Sequence, residues 1–255
     1  MIENNQKYHY IELVGLSKVF QTAAGDFVAL KDLDVCFCQG EFTSVVGRSG
    51  SGKSTLMNMI TGIDRPSSGE VLVERQKIHQ FNETRMARWR GINLGIVFQF
   101  YQLLPVLTLL ENVMLPMQIA QKYSANERRL RALNLLEQVG LKDFVEQYPN
   151  IVSGGQQQSA AIARALANDP PILIADEPTG NLGSIEAERV LDIFHRLSME
   201  GKTIIMVTHD LELAKNAQRM LTLADGRLID DQRNFYQKNQ PNMNATIQEI
   251  AKHGK

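Results

Sequence analysis

One short stretch constrains the fold of this chain more than any other. It fits the phosphate-loop pattern G-x-x-x-x-G-K-[ST]. Its residues are Gly47, Arg48, Ser49, Gly50, Ser51, Gly52, Lys53, Ser54 and Thr55. A largely apolar run at 42–46 comes before it, and a helical pattern at 56–61 follows it. Strand, glycine loop and helix thus stand in the order that the pattern requires, so we expect an α/β fold built around this loop.

The residue types of the loop suit the binding of phosphate groups. Glycines let the backbone turn its N–H groups inward and approach an anion closely. The N-terminus of the following helix adds unsatisfied donors and the positive end of a dipole. Lys53 is placed to reach the β- and γ-phosphates of a nucleotide, and the Ser54 hydroxyl to bind Mg2+. A glycine-rich turn with a chance Lys-Ser pair is the alternative, and the flanking strand and helix disfavour it.

Composition limits the possible classes of protein. The 255 residues are 44% hydrophobic and 22% charged, which is ordinary for a soluble globular protein. The net charge of −1 does not suggest a nucleic-acid binder. We find no signal peptide at 1–10 and no run of 18 apolar residues, so we expect no membrane span. Cys36 and Cys38 are expected to be small buried residues in a reducing compartment rather than metal ligands.

Hydrophobic patterns predict both strands and helices. Strands are expected at 11–20, 30–46 and 69–74, followed by mainly helical sequence from 77 to about 168. Capping-box patterns at Thr108 and Ser124 predict helix starts. In the second of these helices, we expect an apolar face that carries Leu130, Leu133, Leu136 and Val139. Short apolar runs at 172–175 and 204–207, separated by a helix, indicate a parallel sheet, and a hairpin around 225–226 closes it.

A second group of polar residues follows the strand at 172–175. Asp176 and Glu177 stand at its end, 123 positions after Lys53. If that strand end lies beside the phosphate loop, Asp176 is placed to hold Mg2+, and Glu177 to orient or deprotonate the attacking water. An apolar run followed by Asp-Glu is a weak signal on its own.

The sequence between these two groups resembles a known family. Ser153, Gly154, Gly155 and Gln156 are followed by a helix of small residues, and Asp176 comes 23 positions after Ser153. This arrangement is similar to the signature of the ATP-binding subunits of ABC transporters, and the resemblance covers about residues 9–230. It implies a P-loop NTPase core with a mixed sheet, an antiparallel β subdomain and an inserted α-helical subdomain at about 77–168. The cassette would span 1–231, and 232–255 would form a polar C-terminal tail.

The resemblance also implies roles for further residues. The signature of one subunit, Ser153 to Gln156, would cover ATP held by the phosphate loop of a second copy in a head-to-tail dimer. Gln99 matches the glutamine that senses Mg2+ and the attacking water, and His209 matches the histidine that contacts the γ-phosphate. Phe20 matches the aromatic residue that stacks on adenine; a core phenylalanine is the alternative. The resemblance thus predicts a catalytic set of Glu177, His209, Gln99 and Lys53.

Two positions depart from the family pattern. Gly183 stands where the family usually has Asp in the loop after the Asp-Glu strand, and Ser159 stands where the signature helix usually has Arg. The family Asp helps communication across the dimer. Its absence predicts weaker coupling or slower ATP hydrolysis.

The segment 99–117 is similar to the branch of the family that serves lipoprotein release, macrolide efflux and cell division. This similarity implies a peripheral subunit on the cytoplasmic face of the inner membrane, coupled to an integral membrane permease that exports or extracts lipids, peptides or drugs. Phe100, Tyr101, Leu103, Leu104 and Leu107 would either pack in the core or form a groove for a short helix of that permease. Two alternatives stay open: a soluble ABC ATPase that acts on ribosomes or DNA, which the near-neutral charge disfavours, and a regulatory subunit with low turnover.

Overall fold

Two β-sheets organise the computed structural model, which describes residues 9–23 and 25–233. The strands are β1 (His9–Thr22), β2 (Gly25–Cys38), β3 (Phe42–Val46), β4 (Ser68–Val73), β5 (Gln76–Lys77), β6 (Leu94–Val97), β7 (Ile172–Asp176), β8 (Thr203–Thr208), β9 (Arg219–Ala224) and β10 (Arg227–Arg233). The first sheet is antiparallel, in the order β2-β1-β4-β5. The second has six strands in the order β10-β9-β3-β8-β7-β6 and is parallel except for the β9–β10 hairpin. The predicted α/β class and the mixed sheet are confirmed.

Seven helices lie in the described part of the chain. They are α1 (Lys53–Thr61), α2 (Glu83–Asn93), α3 (Leu109–Ile119), α4 (Ala125–Gln138), α5 (Gly154–Ala165), α6 (Ser184–Met199) and α7 (Leu211–Ala214). Short 3₁₀ turns occupy Ile78–Gln80, Lys142–Phe144 and Pro149–Ile151. The segment 77–168 is therefore mainly helical, but β6 within it belongs to the six-stranded sheet. The division into subdomains stays a prediction.

The six-stranded sheet has a hydrophobic core on each face. Successive side chains of a strand point to opposite faces, so alternate residues of one strand enter different cores. In β8, Ile204 and Met206 pack with α3, α4, α5 and α6, whereas Ile205 and Val207 pack with α1 and the antiparallel sheet. Because both faces are covered, the strand is apolar along most of its length, as is typical of parallel sheets.

The helix starts follow the sequence signals. The Thr108 and Ser124 side chains each accept a hydrogen bond from the backbone N–H of the glutamate three residues later, and each glutamate accepts one from the cap residue. Both predicted capping boxes are confirmed. The predicted apolar face of α4 is partly wrong. Leu130 is 63% exposed, and the buried face is centred on Ala132, Leu135 and Leu136, because only that side of α4 packs on α3 and α5.

The closing hairpin is confirmed and is anchored by a buried arginine. Arg219 of β9 is 1% exposed. It donates from Nε and Nη2 to the two carboxylate oxygens of Asp231 on β10, at 2.7 Å each. Its Nη1 donates to the Cys36 carbonyl of β2 and lies 3.6 Å from the buried Glu41 carboxylate. One guanidinium therefore ties the hairpin to the antiparallel sheet.

The remaining sequence expectations concern cysteines, membrane spans and the tail. Both cysteines are free thiols; Cys38 is buried as expected, whereas Cys36 is only partly buried. Within 9–23 and 25–233, no helix is both long enough and apolar enough to span a membrane. Of the tail expected at 232–255, only Gln232 and Arg233 are described, and they belong to β10. The rest of that tail lies outside the described residues.

Candidate nucleotide-binding site

An open cleft of about 1190 Å³ lies at the carboxyl edge of the six-stranded sheet. Ligands of open α/β sheets bind at this edge, because the loops that leave parallel strands meet there. Pairing of Val46 with Thr208, Asp176 with Val207 and Val97 with Ala175 brings the strand ends level. The residues expected at the site that line the cleft are Gly47, Arg48, Ser49, Gly50, Ser51, Gly52, Lys53, Ser54, Thr55, Gln99, Asp176, Glu177 and His209.

The glycine loop wraps around the Lys53 side chain. Lys53 Nζ donates to the carbonyls of Gly47, at 2.7 Å, and Arg48, at 3.0 Å. Gly52 has φ +104°, and a Cβ atom there would lie 2.6 Å from the Ala29 carbonyl oxygen. A side chain is thus excluded by both backbone conformation and space. The result is a closed loop with a cation at its centre and the N-terminus of α1 behind it.

The loop also presents a buried polar atom with no protein partner. Ser51 is 5% exposed, and its Oγ has no hydrogen-bond partner among the described residues. Its carbonyl accepts a hydrogen bond from the Gly226 N–H in the β9–β10 turn, at 3.1 Å, so the hairpin supports the loop. A buried hydroxyl without a partner is costly unless a ligand or water satisfies it. The loop therefore fits a phosphate-bearing ligand.

Asp176 is a partly buried carboxylate in the cleft. Burial, together with the neighbouring Glu177 carboxylate, raises the pKa of Asp176, and the Lys53 cation opposes this shift. A divalent cation would offset the cost of holding that charge, and carboxylate and hydroxyl oxygens are the ligands that Mg2+ prefers. The oxygen donors of Asp176 and Ser54 therefore fit the predicted Mg2+ site.

Glu177 stands where the chain turns sharply after β7. Its φ of +46° lies in the left-handed region, which is uncommon for a residue with a side chain and is often found at functional sites. One carboxylate oxygen accepts a hydrogen bond from Thr208 Oγ1, at 3.2 Å, and the other lies 2.9 Å from His209 Nδ1. The Glu177 side chain is 16% exposed and that of His209 67% exposed. Two neighbouring strand ends therefore hold this carboxylate in a fixed orientation.

Gln99 follows β6 and contacts the loop that leaves Glu177. The Gln99 carbonyl accepts a hydrogen bond from Asn181 Nδ2, at 3.2 Å. A Cβ atom at Gly180 would lie 3.1 Å from Gln99 Nε2, so the amide rests against this glycine. The structure thus brings Gln99 together with Glu177 and His209.

The structure puts a different aromatic ring in the cleft wall from the one expected. Phe20 is not among the lining residues, and Lys18 Nζ lies 4.9 Å from its ring centroid. Phe27, its cross-strand partner on β2, does line the cleft. The adenine contact of Phe20 stays a prediction. The sequence analysis did not predict that one wall of the cleft would contain Phe27, Leu211, Asp225 and Ile229. For Phe27, its position opposite Phe20 in the first hairpin was the sequence feature that could have indicated this.

The signature residues lie outside the cleft of their own chain. Ser153 caps α5: its Oγ accepts from the Gln156 N–H at 3.3 Å, and its N–H donates to Gln156 Oε1 at 2.8 Å. None of Ser153, Gly154, Gly155 and Gln156 is among the lining residues. A single chain therefore contains the phosphate loop and this helix start as separate surfaces. Contact between the phosphate loop of one copy and the start of α5 of a second copy stays a prediction.

The sequence is similar to that of known transport proteins. A profile of the ABC transporter family matches residues 30–180. The lipoprotein-releasing system ATP-binding protein LolD of Idiomarina loihiensis is 44% identical, over 85% of this chain and 95% of LolD. The macrolide export ATP-binding/permease protein MacB 1/2 of Paracoccus denitrificans is also 44% identical, over 88% of this chain and 33% of that longer protein.

The fold is similar to solved ATP-binding cassettes. MJ0796 of Methanocaldococcus jannaschii, described as a dimeric ABC transporter cassette, superposes with a TM-score of 0.81 and 40% identity, over 88% of this chain and 98% of MJ0796. A second structure of MJ0796, a dimeric post-hydrolysis state bound to ADP and Pi, superposes with the same TM-score.

Proposed function

Since this chain belongs to the ABC transporter family and is an ATPase of that family, we propose that it drives a membrane permease by hydrolysing Mg-ATP between two copies of itself. The observation that carries the proposal is the cleft in which one phosphate loop meets Asp176, Glu177, Gln99 and His209. The similarity to LolD and MacB supports a complex that exports or extracts lipids, peptides or drugs.

In this proposal, each group in the cleft has a distinct task. The loop N–H groups and Lys53 bind the phosphates, and Ser54, Asp176 and Gln99 hold Mg2+, which neutralises charge on the phosphate oxygens when bound. Glu177 orients the attacking water and accepts its proton, since its carboxylate is fixed by Thr208 and His209. His209, through the ring nitrogen that does not face Glu177, contacts the γ-phosphate.

The dimer is proposed from the separation of the two surfaces. Ser153 and Gly155 do not reach the cleft of their own chain, so a second copy placed head-to-tail would let them cover its nucleotide. A symmetric pair of this kind forms two equivalent sites. The dimeric structures of MJ0796 support this arrangement.

The membrane partner is proposed to dock beside Gln99. Phe100 is 70% exposed and Leu104 43% exposed, whereas Leu103 packs against the core. The segment between them is fixed by Asn112, whose side chain bonds the backbone of Leu104. An apolar surface on a fixed segment suits the apolar face of a short helix. This contact would place the cassette on the cytoplasmic face of the inner membrane.

Turnover by the purified protein tests the proposed chemistry. We expect Mg-dependent ATP hydrolysis that falls by about 10²-fold or more in Glu177→Gln, because general-base catalysis contributes that much. Glu188→Gln, an exposed carboxylate of α6, is the matched control and should keep the native rate. Mg-dependent hydrolysis at equal rates in native protein and Glu177→Gln would refute the assignment of Glu177. Absence of Mg-dependent hydrolysis by the native protein would instead favour the low-turnover regulatory subunit, which the absence of a side chain at Gly183 motivates.

Purification from membranes tests the docking surface. The native cassette should retain a multi-span membrane protein, identified by mass spectrometry, that Phe100→Ser/Leu104→Ser loses. Leu130→Ser changes a comparably exposed apolar residue on α4 and should retain that protein. Unchanged retention by the double variant would contradict the proposal.

A further inference from the structure

Glu186 lies between two glycines from different parts of the fold. Gly155 is the second residue of α5, and Gly183 immediately precedes α6. A Cβ atom at Gly155 would lie 2.6 Å from Glu186 Cγ, and a Cβ atom at Gly183 would lie 2.7 Å from Glu186 Oε2. At Gly155 the clash would be with the stem of Glu186, whereas at Gly183 it would be with the terminal carboxylate, which can rotate away. The absence of a side chain at Gly155 is therefore what admits the Glu186 stem.

Backbone conformation does not explain the glycine at position 183. Its φ of −68° and ψ of 164° are open to any residue. Asp, Asn and Ser are the preferred residues at this helix-capping position, yet α6 has no side-chain cap. The Glu186 carboxylate lies in the space that a side chain at 183 would occupy, so such a side chain would have to displace it.

The Glu186 contact joins two segments that the proposed function uses. The loop 177–183 begins with the proposed base Glu177 and reaches Gln99 through Asn181. Helix α5 begins with the residues expected to cover the nucleotide of the second copy. We propose that Glu186 is a positioning residue: its stem holds the start of α5 against this loop, and its carboxylate takes the place of a side chain at position 183.

This role differs from the general effect of an acidic residue in the first turn of a helix. A glutamate there stabilises α6 through the helix dipole and needs neither glycine. The proposed role depends on both, so it predicts that changes at 183 and 186 are not independent. The effect of Glu186 on ATP turnover rests on the proposed function. The coupling between changes at 183 and 186 does not.

A thermal double-mutant cycle tests the geometry without any activity. With Glu186 present, we expect Gly183→Asp to lower Tm by about 1–3 °C, because the new carboxylate displaces the Glu186 carboxylate and lies beside a like charge. In the Glu186→Ala background the same change should leave Tm unchanged or raise it slightly, since the added side chain then caps α6. Asn82→Asp, at the cap of α2, should shift Tm equally in both backgrounds. An equal effect of Gly183→Asp in the two backgrounds would overturn the proposal.

Steady-state kinetics test the positioning. Glu186→Ala should lower kcat about ten-fold, because the start of α5 is no longer held in place. Binding of a fluorescent ATP analogue to the single chain should stay within about two-fold of native, since Glu186 does not line the cleft. Glu186→Gln keeps the stem and should restore the native rate. Native kcat in Glu186→Ala, or a Glu186→Gln variant as slow as Glu186→Ala, would overturn the inference. If the native chain hydrolyses no ATP, the proposed function fails, and the thermal cycle alone decides this inference.

Discussion

Replacement of Asp231 by Asn tests how the closing hairpin is held to the rest of the protein. In the native protein both carboxylate oxygens of Asp231 accept hydrogen bonds from the buried Arg219 guanidinium, at 2.7 Å each. Asn keeps one acceptor but turns an NH2 donor toward the cation. The guanidinium, whose side chain is 2% exposed, then retains the Cys36 carbonyl and the buried Glu41 carboxylate as partners.

The expected loss of stability follows from how deeply Arg219 and Asp231 are each buried. Removal of one partner from a fully buried ion pair costs about 3–5 kcal/mol. The Asp231 side chain is 36% exposed, so water already weakens the interaction, and the Glu41 carboxylate compensates part of the loss. We therefore expect the free energy of unfolding to fall by about 2–3 kcal/mol, and Tm by roughly 5–10 °C.

Urea unfolding of native protein, Asp231→Asn and the control Asp230→Asn measures this loss. Asp230 is the neighbouring exposed carboxylate and has no bond to Arg219, so its replacement should change stability by less than about 0.5 kcal/mol. Equal effects of the two substitutions would refute the reasoning.

The pH dependence provides a second test of the same pair. Hydrogen bonds from Arg219 hold the pKa of the Asp231 carboxyl below its usual range. A carboxyl with a lowered folded-state pKa contributes stability above its unfolded-state pKa and loses it as pH falls through the folded-state value. The difference between native protein and Asp231→Asn should therefore be constant above about pH 5 and shrink as pH falls toward 3. A difference that persists undiminished at low pH would contradict the ion-pair explanation.

Three further substitutions have expected outcomes. Gly52→Ala should cost about 2 kcal/mol of stability and weaken ATP binding at least about ten-fold, by thermal melting and fluorescent-nucleotide titration, because its Cβ would meet the Ala29 carbonyl. Gly50→Ala, with φ +79° but open space around it, carries only the backbone strain and should cost about 1 kcal/mol. Asn112→Ala should lower the free energy of unfolding in urea by about 2–4 kcal/mol, since this fully buried amide holds the loop before α3; a loss below 1 kcal/mol would contradict it. Burial lowers the pKa of His195, so the stability of the native protein should fall as pH drops below about 6.5. The His195→Leu variant should show a smaller fall. Parallel curves of stability against pH for the two proteins would exclude His195 as the cause.

The parts of this protein that sequence reasoning predicted well are those specified by neighbouring residues. The phosphate loop has its glycines, Lys53 and Ser54 within nine positions, and the capping boxes at Thr108 and Ser124 are closed by residues three positions away. Strand patterns also predicted the parallel sheet, and the family resemblance is confirmed by relatives that match most of the chain.

Features that depend on packing between distant segments were not predictable in the same way. Leu130 has helical spacing with buried leucines, yet it is exposed because α3 and α5 cover a different side of α4. Phe27, rather than Phe20, lines the cleft, since the position of a strand residue relative to the cleft depends on how the antiparallel sheet sits on the core.

Sequence alone determined that this chain would hold a phosphate loop, an Asp-Glu strand end and a second helix start of the ABC type, because each is a local pattern. The tertiary structure decided which of them meet. Sheet order brings Asp176, Glu177 and His209 to the loop, whereas the fold keeps Ser153 to Gln156 apart from it. It also decided that the Glu186 carboxylate lies in the space that a side chain at position 183 would take. Contacts of this kind join segments far apart in the chain, and only the folded backbone specifies them.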